Sequence, residues 1–333
     1  MRVYLYSGMQ KLIEKSGVGR AIYHQRRALT INGIELAQSL EDADVVHINT
    51  IFPDSLKIVH KAHEKGIPVV FHAHSTKEDF RNSYLGSNLF DWLFGKWICH
   101  CYCTGDYIVT PTEYSKRLLV SYGINKKITA VSNGIDLDYY EKEKVASNAF
   151  RKKYGYGSDA KIIMSVGLTI DRKGVIDFVE LAKRMPEYQF IWYGATNLNT
   201  VPLKVRKAVQ TKLPNLKFAG YAKKDELREA YAGCNLFLFP SKEETEGIVV
   251  LEALAMKIPV LLRDIPVYQD WLKPNQDVYK ASCLDEFEKK TRSILENRLP
   301  ILVEEGYRVV KSRAIEQIGR QLGTVYENCL NNV

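Results

Sequence analysis

Apolar and polar positions alternate along this chain in short, regular blocks. Residues 2–7 read as a strand, and after a loop the spacing of Ala21, Ile22, Ala28 and Leu29 predicts a helix opened by Gly17-Val18-Gly19. Residues 44–48 and 67–72 read as buried strands on either side of a helix over 56–65 that Gly66 stops. An aromatic-rich helix over 84–102, a strand over 107–111, a helix over 112–122 stopped by Gly123 and a strand over 128–131 follow. A charged, loosely patterned stretch then gives way to the same alternation, with strands at 162–166, 189–192, 216–218, 235–239 and 260–262. Helices are expected between them over 174–184, 202–212, 224–232 and 248–257, and 284–333 is mostly helical in pattern. Repeated strand–helix units predict parallel sheets with right-handed crossovers, so the fold class is α/β. The expected division is a first domain over 1–140, a linker over 141–158, a second domain over 159–311 and a final helix over 312–333 that packs back on the first.

The stretch 240–260, PSKEETEGIVVLEALAMKIPV, carries the clearest chemistry. A strand ends at Pro240, an acidic loop follows, and Gly247 stands where a helix begins. Free backbone N–H groups and the positive end of the helix dipole there suit a phosphate. Glu244 and Glu252 stand eight residues apart, one before the helix and one about a turn inside it. A phosphate ester with hydroxyl groups at both ends fits that spacing. Gly17 and Gly19 permit close backbone approach, but without a third glycine they make a poor dinucleotide fingerprint, and a plain tight turn also explains them. His72 and His74 fall at the carboxyl end of a strand, where open α/β sheets bind ligands; either could equally be a packed side chain.

Composition narrows the partners. The chain has 333 residues, 46% hydrophobic and 26% charged, enough for two domains with cores. It has no apolar run of about 18 residues and no basic, long-cored leader, so a cytoplasmic protein is expected. Cys99, Cys101 and Cys103 lack the spacing of zinc ligands, and no metal is expected. The net charge is +8, and residues 1–30 hold six basic residues against one acidic. Lys11, Lys15, Arg20, Arg26 and Arg27 therefore form a basic patch whose partner is anionic lipid head groups, nucleic acid or merely solvent; no nucleic-acid-binding module accompanies it, which ranks nucleic acid last. Trp92 and Trp97, beside Lys96 in the aromatic helix, suit either a core or a membrane interface.

Pro240, Ser241, Glu244, Gly247, Leu251, Glu252, Ala253 and Pro259 together form an E-x7-E setting that resembles the retaining GT-B glycosyltransferases of family four. Gly17, Gly19, His74, Asn133-Gly134 with Asp136, Lys173-Gly174 and Gly220 support it at corresponding distances, so the resemblance spans nearly the whole chain. It implies two facing Rossmann-like domains, the first for the acceptor and the second for a nucleotide sugar. It further implies catalytic roles for Glu244 on sugar hydroxyls, His74 near the transferred sugar and Lys173 on the diphosphate. Gly17, Gly19, Arg172, Lys173, Gly220, Gly247, Ile248, Val249 and Glu252 would bind the donor, with Glu252 on the ribose. Where the family often carries an arginine this chain has Leu168, and Arg172 is the expected substitute. Family members retain anomeric configuration through an oxocarbenium-like transition state, and no metal or other cofactor is implied. Asp136-Leu137-Asp138 looks like the metal motif of the other glycosyltransferase fold but follows an Asn-Gly turn, and is read as structural.

The basic and aromatic segments are similar to bacterial glycosyl-diacylglycerol synthases. That likeness implies transfer of glucose or galactose from UDP-glucose or UDP-galactose to a lipid or glycolipid acceptor, such as diacylglycerol or its monoglucosyl form. The enzyme would sit peripherally on the inner face of the cell membrane, with Lys11, Lys15, Arg26, Arg27, Trp92 and Trp97 toward the anionic lipid. Polysaccharide or capsule assembly, a GT-B-like epimerase and a non-catalytic partner subunit are the alternatives.

Overall fold

The computed structural model describes residues 1–9, 13, 16–145 and 147–331; Lys11 and Lys15 lie outside them. The described chain forms two units. The first comprises residues 1–80, 89–136 and 312–333 and the second residues 81–88 and 137–311. The chain therefore leaves the first unit after Asp136, and residues 81–88 of the expected first domain cluster with the second unit. Their backbone explains it: the Arg172 N–H donates to the Asn82 carbonyl at 3.0 Å, and the Leu85 N–H to that of Thr200 at 2.9 Å.

In chain order the first elements are β1 (Arg2–Tyr6), α1 (Gly17–Ile31), β2 (Glu35–Leu36), β3 (Val45–Ile48), α2 (Pro53–Glu64), β4 (Val69–His72) and α3 (Lys77–Phe80). Next come α4 (Ser87–Cys103), β5 (Tyr107–Thr110), α5 (Glu113–Ser121) and β6 (Lys127–Ala130). The strands form one parallel sheet in the order β2-β1-β3-β4-β5-β6. Every residue of β3, β4 and β5 is buried, which is why these strands read as continuous apolar runs: helices cover both faces. Ser16 caps α1 by accepting from the Gly19 N–H, and Thr112 with Ser115 forms a reciprocal capping box on α5.

The second unit contains α6 (Ser147–Tyr154), β7 (Ile162–Val166), α7 (Val175–Arg184), β8 (Gln189–Tyr193), α8 (Leu203–Val209), β9 (Leu216–Gly220), α9 (Lys224–Gly233) and β10 (Leu236–Phe239). It continues with α10 (Ile248–Ala255), β11 (Val260–Arg263), β12 (Tyr279–Ala281), α11 (Leu284–Leu295) and α12 (Val303–Lys311). Its parallel sheet runs β12-β11-β10-β7-β8-β9. The stretch expected as a linker is partly folded. Helix α6 buries Phe150, and Arg151 donates to the carbonyls of Gly157, Ala160 and Gly233 at 2.9, 3.1 and 3.1 Å. A single buried aromatic in so short a helix leaves almost no periodic signal.

The last helix, α13 (Ile315–Leu330), belongs to the first unit and packs on α1. A Cβ on Gly319 would fall 2.2 Å from the Ala28 carbonyl oxygen, so only glycine allows this approach. Ile318, Leu322 and Val325 join Val3, Leu29, Val45 and Val109 in one apolar cluster.

Polar side chains also lie under α13. The rings of His47 and His72 stack at 5.3 Å and 9°, and those of His72 and His74 at 4.0 Å and 6°. His47 Nδ1 meets Tyr326 Oη at 2.6 Å and its Nε2 meets His72 Nδ1 at 3.2 Å. Gln25 on α1 reaches His72 Nδ1 at 2.9 Å, and His74 Nε2 meets Asn49 Oδ1 at 2.8 Å. These hydrogen-bond partners include no carboxylate, so burial opposes protonation of every ring and neighbouring imidazoles oppose it further for the inner two. The pKa values of His47 and His74 fall to about 3, and that of His72 drops well below its ordinary value.

Acid should therefore unfold the protein. The unfolded chain takes up protons near the ordinary histidine value of 6.5, whereas the native rings do not until about pH 3. Their contribution is complete above about pH 6.5 and is lost as pH falls, by about 1.4 kcal/mol per pH unit for each ring. Urea midpoints should hold steady from about pH 8 to 7 and decline below about pH 6, and His47→Phe should shallow that decline. A midpoint that stayed level down to about pH 5 would contradict the assignment.

Candidate active site

The chemistry of the second unit gathers where β7 and β10 end. After β7 the chain makes a turn over Asp171–Lys173 and enters α7 through Gly174, which has a φ of +76°. A Cβ there would stand 2.2 Å from the Pro240 carbonyl oxygen, so glycine lets this turn touch the loop that follows β10. Lys173 Nζ then reaches Glu244 Oε1 at 2.5 Å, with side chains only 16% and 7% exposed. The Ser241 hydroxyl donates to the same oxygen at 2.6 Å. Burial pushes the Glu244 pKa up, but Lys173, Arg172 and these hydrogen bonds outweigh it and hold the carboxyl below its ordinary range. It is an ionised, preorganised acceptor.

Arg172 steadies the same loop. Its Nη1 donates to the Glu243 carbonyl at 2.9 Å, its Nε to Ser83 Oγ at 3.0 Å, and its own carbonyl accepts from the Lys242 N–H at 2.7 Å. Beside it the buried Asp171 pairs with Lys242 at 2.7 Å and with Lys204.

Gly247, at φ +88°, opens α10, whose first turn has no side-chain cap. A Cβ on Gly247 would lie 2.9 Å from the Tyr268 hydroxyl. Gly247, Ile248 and Val249 are partly exposed, so their backbone lines an accessible helix N-terminus. Glu252, one turn inside, is buried and accepts from Tyr140 Oη at 2.6 Å and Tyr231 Oη at 3.0 Å. Gly220 ends β9, and its carbonyl accepts from the Gly194 N–H at 2.7 Å; Gly194 in turn packs on Gly167, whose missing Cβ would lie 3.5 Å from the Lys173 side chain.

In the first unit Gly17 and Gly19 lie in the opening turn of α1, and His74, partly exposed, follows β4. Arg26 is exposed, but Arg27 pairs at 2.9 Å with the buried Asp136, so the charge of Arg27, expected at a membrane, is already balanced. That pair gives Asp136 a role inside the fold, while Asp138 is exposed. Trp92 is 54% exposed with Lys96 Nζ over its ring, whereas Trp97 is anchored by its Nε1–H to the Ile51 carbonyl at 2.9 Å.

Sequence reasoning named Ser241 only as part of the motif's setting, without a role, and missed Tyr140, Tyr231, Tyr268, Gln25, His47, Asn49 and Tyr326. These come from separate elements, and no spacing connects them.

The first half, residues 10–139, matches the family model described as Glycosyltransferase Family 4, and residues 146–316 match the one described as Glycosyl transferases group 1. The chain is 41% identical over 332 residues to a processive diacylglycerol alpha-glucosyltransferase of Acholeplasma laidlawii, covering 99% of each. It is 26% identical over 294 residues to an alpha-galactosylglucosyldiacylglycerol synthase of Streptococcus pneumoniae, covering 85% of this chain and 77% of that one. In fold it is similar to Anabaena Alr3699/HepE, crystallised with UDP and glucose, at a TM-score of 0.76 and 13% identity over 98% of this chain and 99% of that one. With two glycosyltransferase models matched in order and a relative 41% identical from end to end, the chain belongs to the GT-B glycosyltransferases of family four.

Proposed function

We propose that this protein is a retaining hexosyltransferase that moves glucose or galactose from its UDP-sugar to a diacylglycerol-type acceptor, either diacylglycerol or a monoglucosyl form, at a membrane surface. The observation that carries the donor reading is the Lys173–Glu244 pair beside the uncapped N-terminus of α10, with Glu252 one turn farther in. Full-length identity of 41% to a processive diacylglycerol alpha-glucosyltransferase supports the acceptor.

The residues then divide the work. Backbone N–H groups of Gly247, Ile248 and Val249 hold the diphosphate, and Lys173 turns from Glu244 toward the oxygen that gains charge. Arg172 keeps Nη2 for a phosphate oxygen while its other nitrogens hold the loop. Glu244 accepts from hydroxyls of the transferred sugar, and Glu252 from the ribose. On this reading Gly17, Gly19 and Gly220 are further donor-binding residues and His74 a further catalytic one. The bond from the anomeric carbon to the phosphate oxygen breaks with its electron pair going to the diphosphate. The acceptor hydroxyl attacks from the same face and gives its proton to the departing phosphate oxygen, so configuration is retained without a covalent carboxylate intermediate or a metal.

The lipid reading draws on α4. Leu89, Phe90, Trp92 and Leu93 are 71%, 54%, 54% and 52% exposed, while Ile98, Cys101 and Tyr102 are buried, so one end of the helix is left with an apolar surface beside Lys96. Such a surface suits the bilayer interface, where each Lys or Arg adds roughly 1 kcal/mol of attraction to anionic lipid.

Labelled nucleotide sugars offered with a panel of lipid acceptors should yield a glycosyl-diacylglycerol from a UDP-hexose; transfer only to a soluble glycan would refute the acceptor. Glu252→Ala should chiefly raise the donor KM, and Glu244→Ala should chiefly lower kcat by on the order of a hundredfold. Wild-type kinetics in both variants would overturn the division of roles. The protein should float with anionic vesicles at low salt, and the double replacement Trp92→Ala, Leu93→Ala should weaken that binding severalfold. Equal flotation of this variant would exclude the α4 surface.

A further inference from the structure

Tyr268 ends the short turn Pro266–Tyr268 that follows β11. Because β7, β10 and β11 run parallel, this turn lies at the same end of the sheet as the Lys173 turn and the Glu244 loop. The residue is held firmly. Its N–H donates to the Ile265 carbonyl at 3.1 Å, its own carbonyl accepts from the buried Lys280 at 3.1 Å, and its ring meets Trp271 edge-on at 5.9 Å and 63°. Tyr268 is 0% exposed, yet its hydroxyl has no hydrogen-bond partner among the described residues. A phenylalanine would fill the same space without drying a polar atom, so the hydroxyl carries a cost that packing does not explain.

That hydroxyl faces the acidic loop. It lies 2.9 Å from where a Cβ of Gly247 would stand, and Glu244 is three residues earlier in the same loop. Burial, and then the charges of Glu244, Glu243 and Glu246, hold its pKa well above the ordinary tyrosine value, with Arg172 acting in the opposite direction. The phenol therefore keeps its proton and can donate it to a hydrogen bond.

Glu244 is the carboxylate that comes to need such a donor. In the empty site Lys173 and Ser241 satisfy it. Once a diphosphate draws Lys173 away, the buried carboxylate keeps Ser241 but loses its countercharge, and a charge left unpaired in a dry site is strongly disfavoured.

We propose that Tyr268 is a positioning residue whose hydroxyl donates to Glu244 when the diphosphate takes Lys173, and so holds that carboxylate toward the sugar. This role rests on the reading of Lys173 and Glu244 as donor-site residues. It makes Glu244 a two-state group, salt-bridged in the empty enzyme and hydrogen-bonded to a phenol in the loaded one, and it gives the orphaned hydroxyl its partner.

The test is calorimetric titration of the full chain with UDP and with UMP, which lacks the phosphate that Lys173 would take. Tyr268→Phe should weaken UDP binding about tenfold and leave UMP binding unchanged, because only UDP releases Glu244. Turnover should fall by a similar factor. Without ligand, the urea midpoint of Tyr268→Phe should equal or exceed that of the wild type, since the variant loses an unsatisfied oxygen. In a Glu244→Ala background the same change should leave UDP affinity unaltered. Should Glu244→Ala fail to fold, the comparison of UDP with UMP decides. Wild-type UDP affinity in Tyr268→Phe overturns the proposal, and so does a loss that persists beside Glu244→Ala, which would mark a direct phosphate contact. Equal losses for UDP and UMP with a lowered urea midpoint would reduce Tyr268 to packing. UDP affinity unchanged by Lys173→Ala refutes instead the donor reading on which the role rests.

Discussion

The buried pair between Lys173 and Glu244 is the contact on which the second unit's site depends. Two charges taken out of water are tolerated only while they satisfy each other, and removing one partner of such a pair typically costs about 3–5 kcal/mol. Here the pair joins the turn after β7 to the loop after β10, and the loops meet because Gly174 has no Cβ to strike Pro240. Ser241 and Arg172 complete the enclosure, so the carboxylate is oriented before any ligand arrives. On the proposed reading a diphosphate competes with Glu244 for Lys173, and donor binding itself frees the carboxylate for the sugar.

The first unit obeys a different constraint. Its sheet is covered by α1 and α13, and Gly319 lets those two helices approach closely. Within that dry layer stand three neutral imidazoles whose partners come from separate elements. The same burial that keeps them uncharged makes the unit sensitive to acid. Burying polar groups there is costly, the more so because His72 Nε2, Gln25 Oε1 and Asn49 Nδ2 have no hydrogen-bond partner among the described residues.

The extent of the alternation, the parallel strands and the phosphate-suited turn at Gly247 were legible in the chain because each is local. A strand buried on both faces is a short apolar run, a helix start is a cap or a glycine, and an E-x7-E spacing lies within one stretch. The boundary was less legible. Residues 81–88 join the second unit through a backbone bond that Asn82 accepts, one that Leu85 donates and a side-chain bond from Arg172 to Ser83, and none of these leaves a mark on the hydrophobic pattern. The helix α6 was hidden for a related reason, since Phe150 is its one fully buried large side chain.

The sequence by itself determined the fold class, the family likeness and the identities of Lys173, Glu244 and Glu252, because strand–helix periodicity and motif spacing are properties of neighbouring residues. Only the tertiary structure decided that Glu244 is already paired, that Tyr140 and Tyr231 hold Glu252, and that His74 is the outermost of three stacked rings reaching Tyr326. The physical reason is distance along the chain. Glu244 lies 71 residues from Lys173 and Tyr326 lies 279 from His47, and only the folded packing of parallel strands brings such groups within hydrogen-bonding reach.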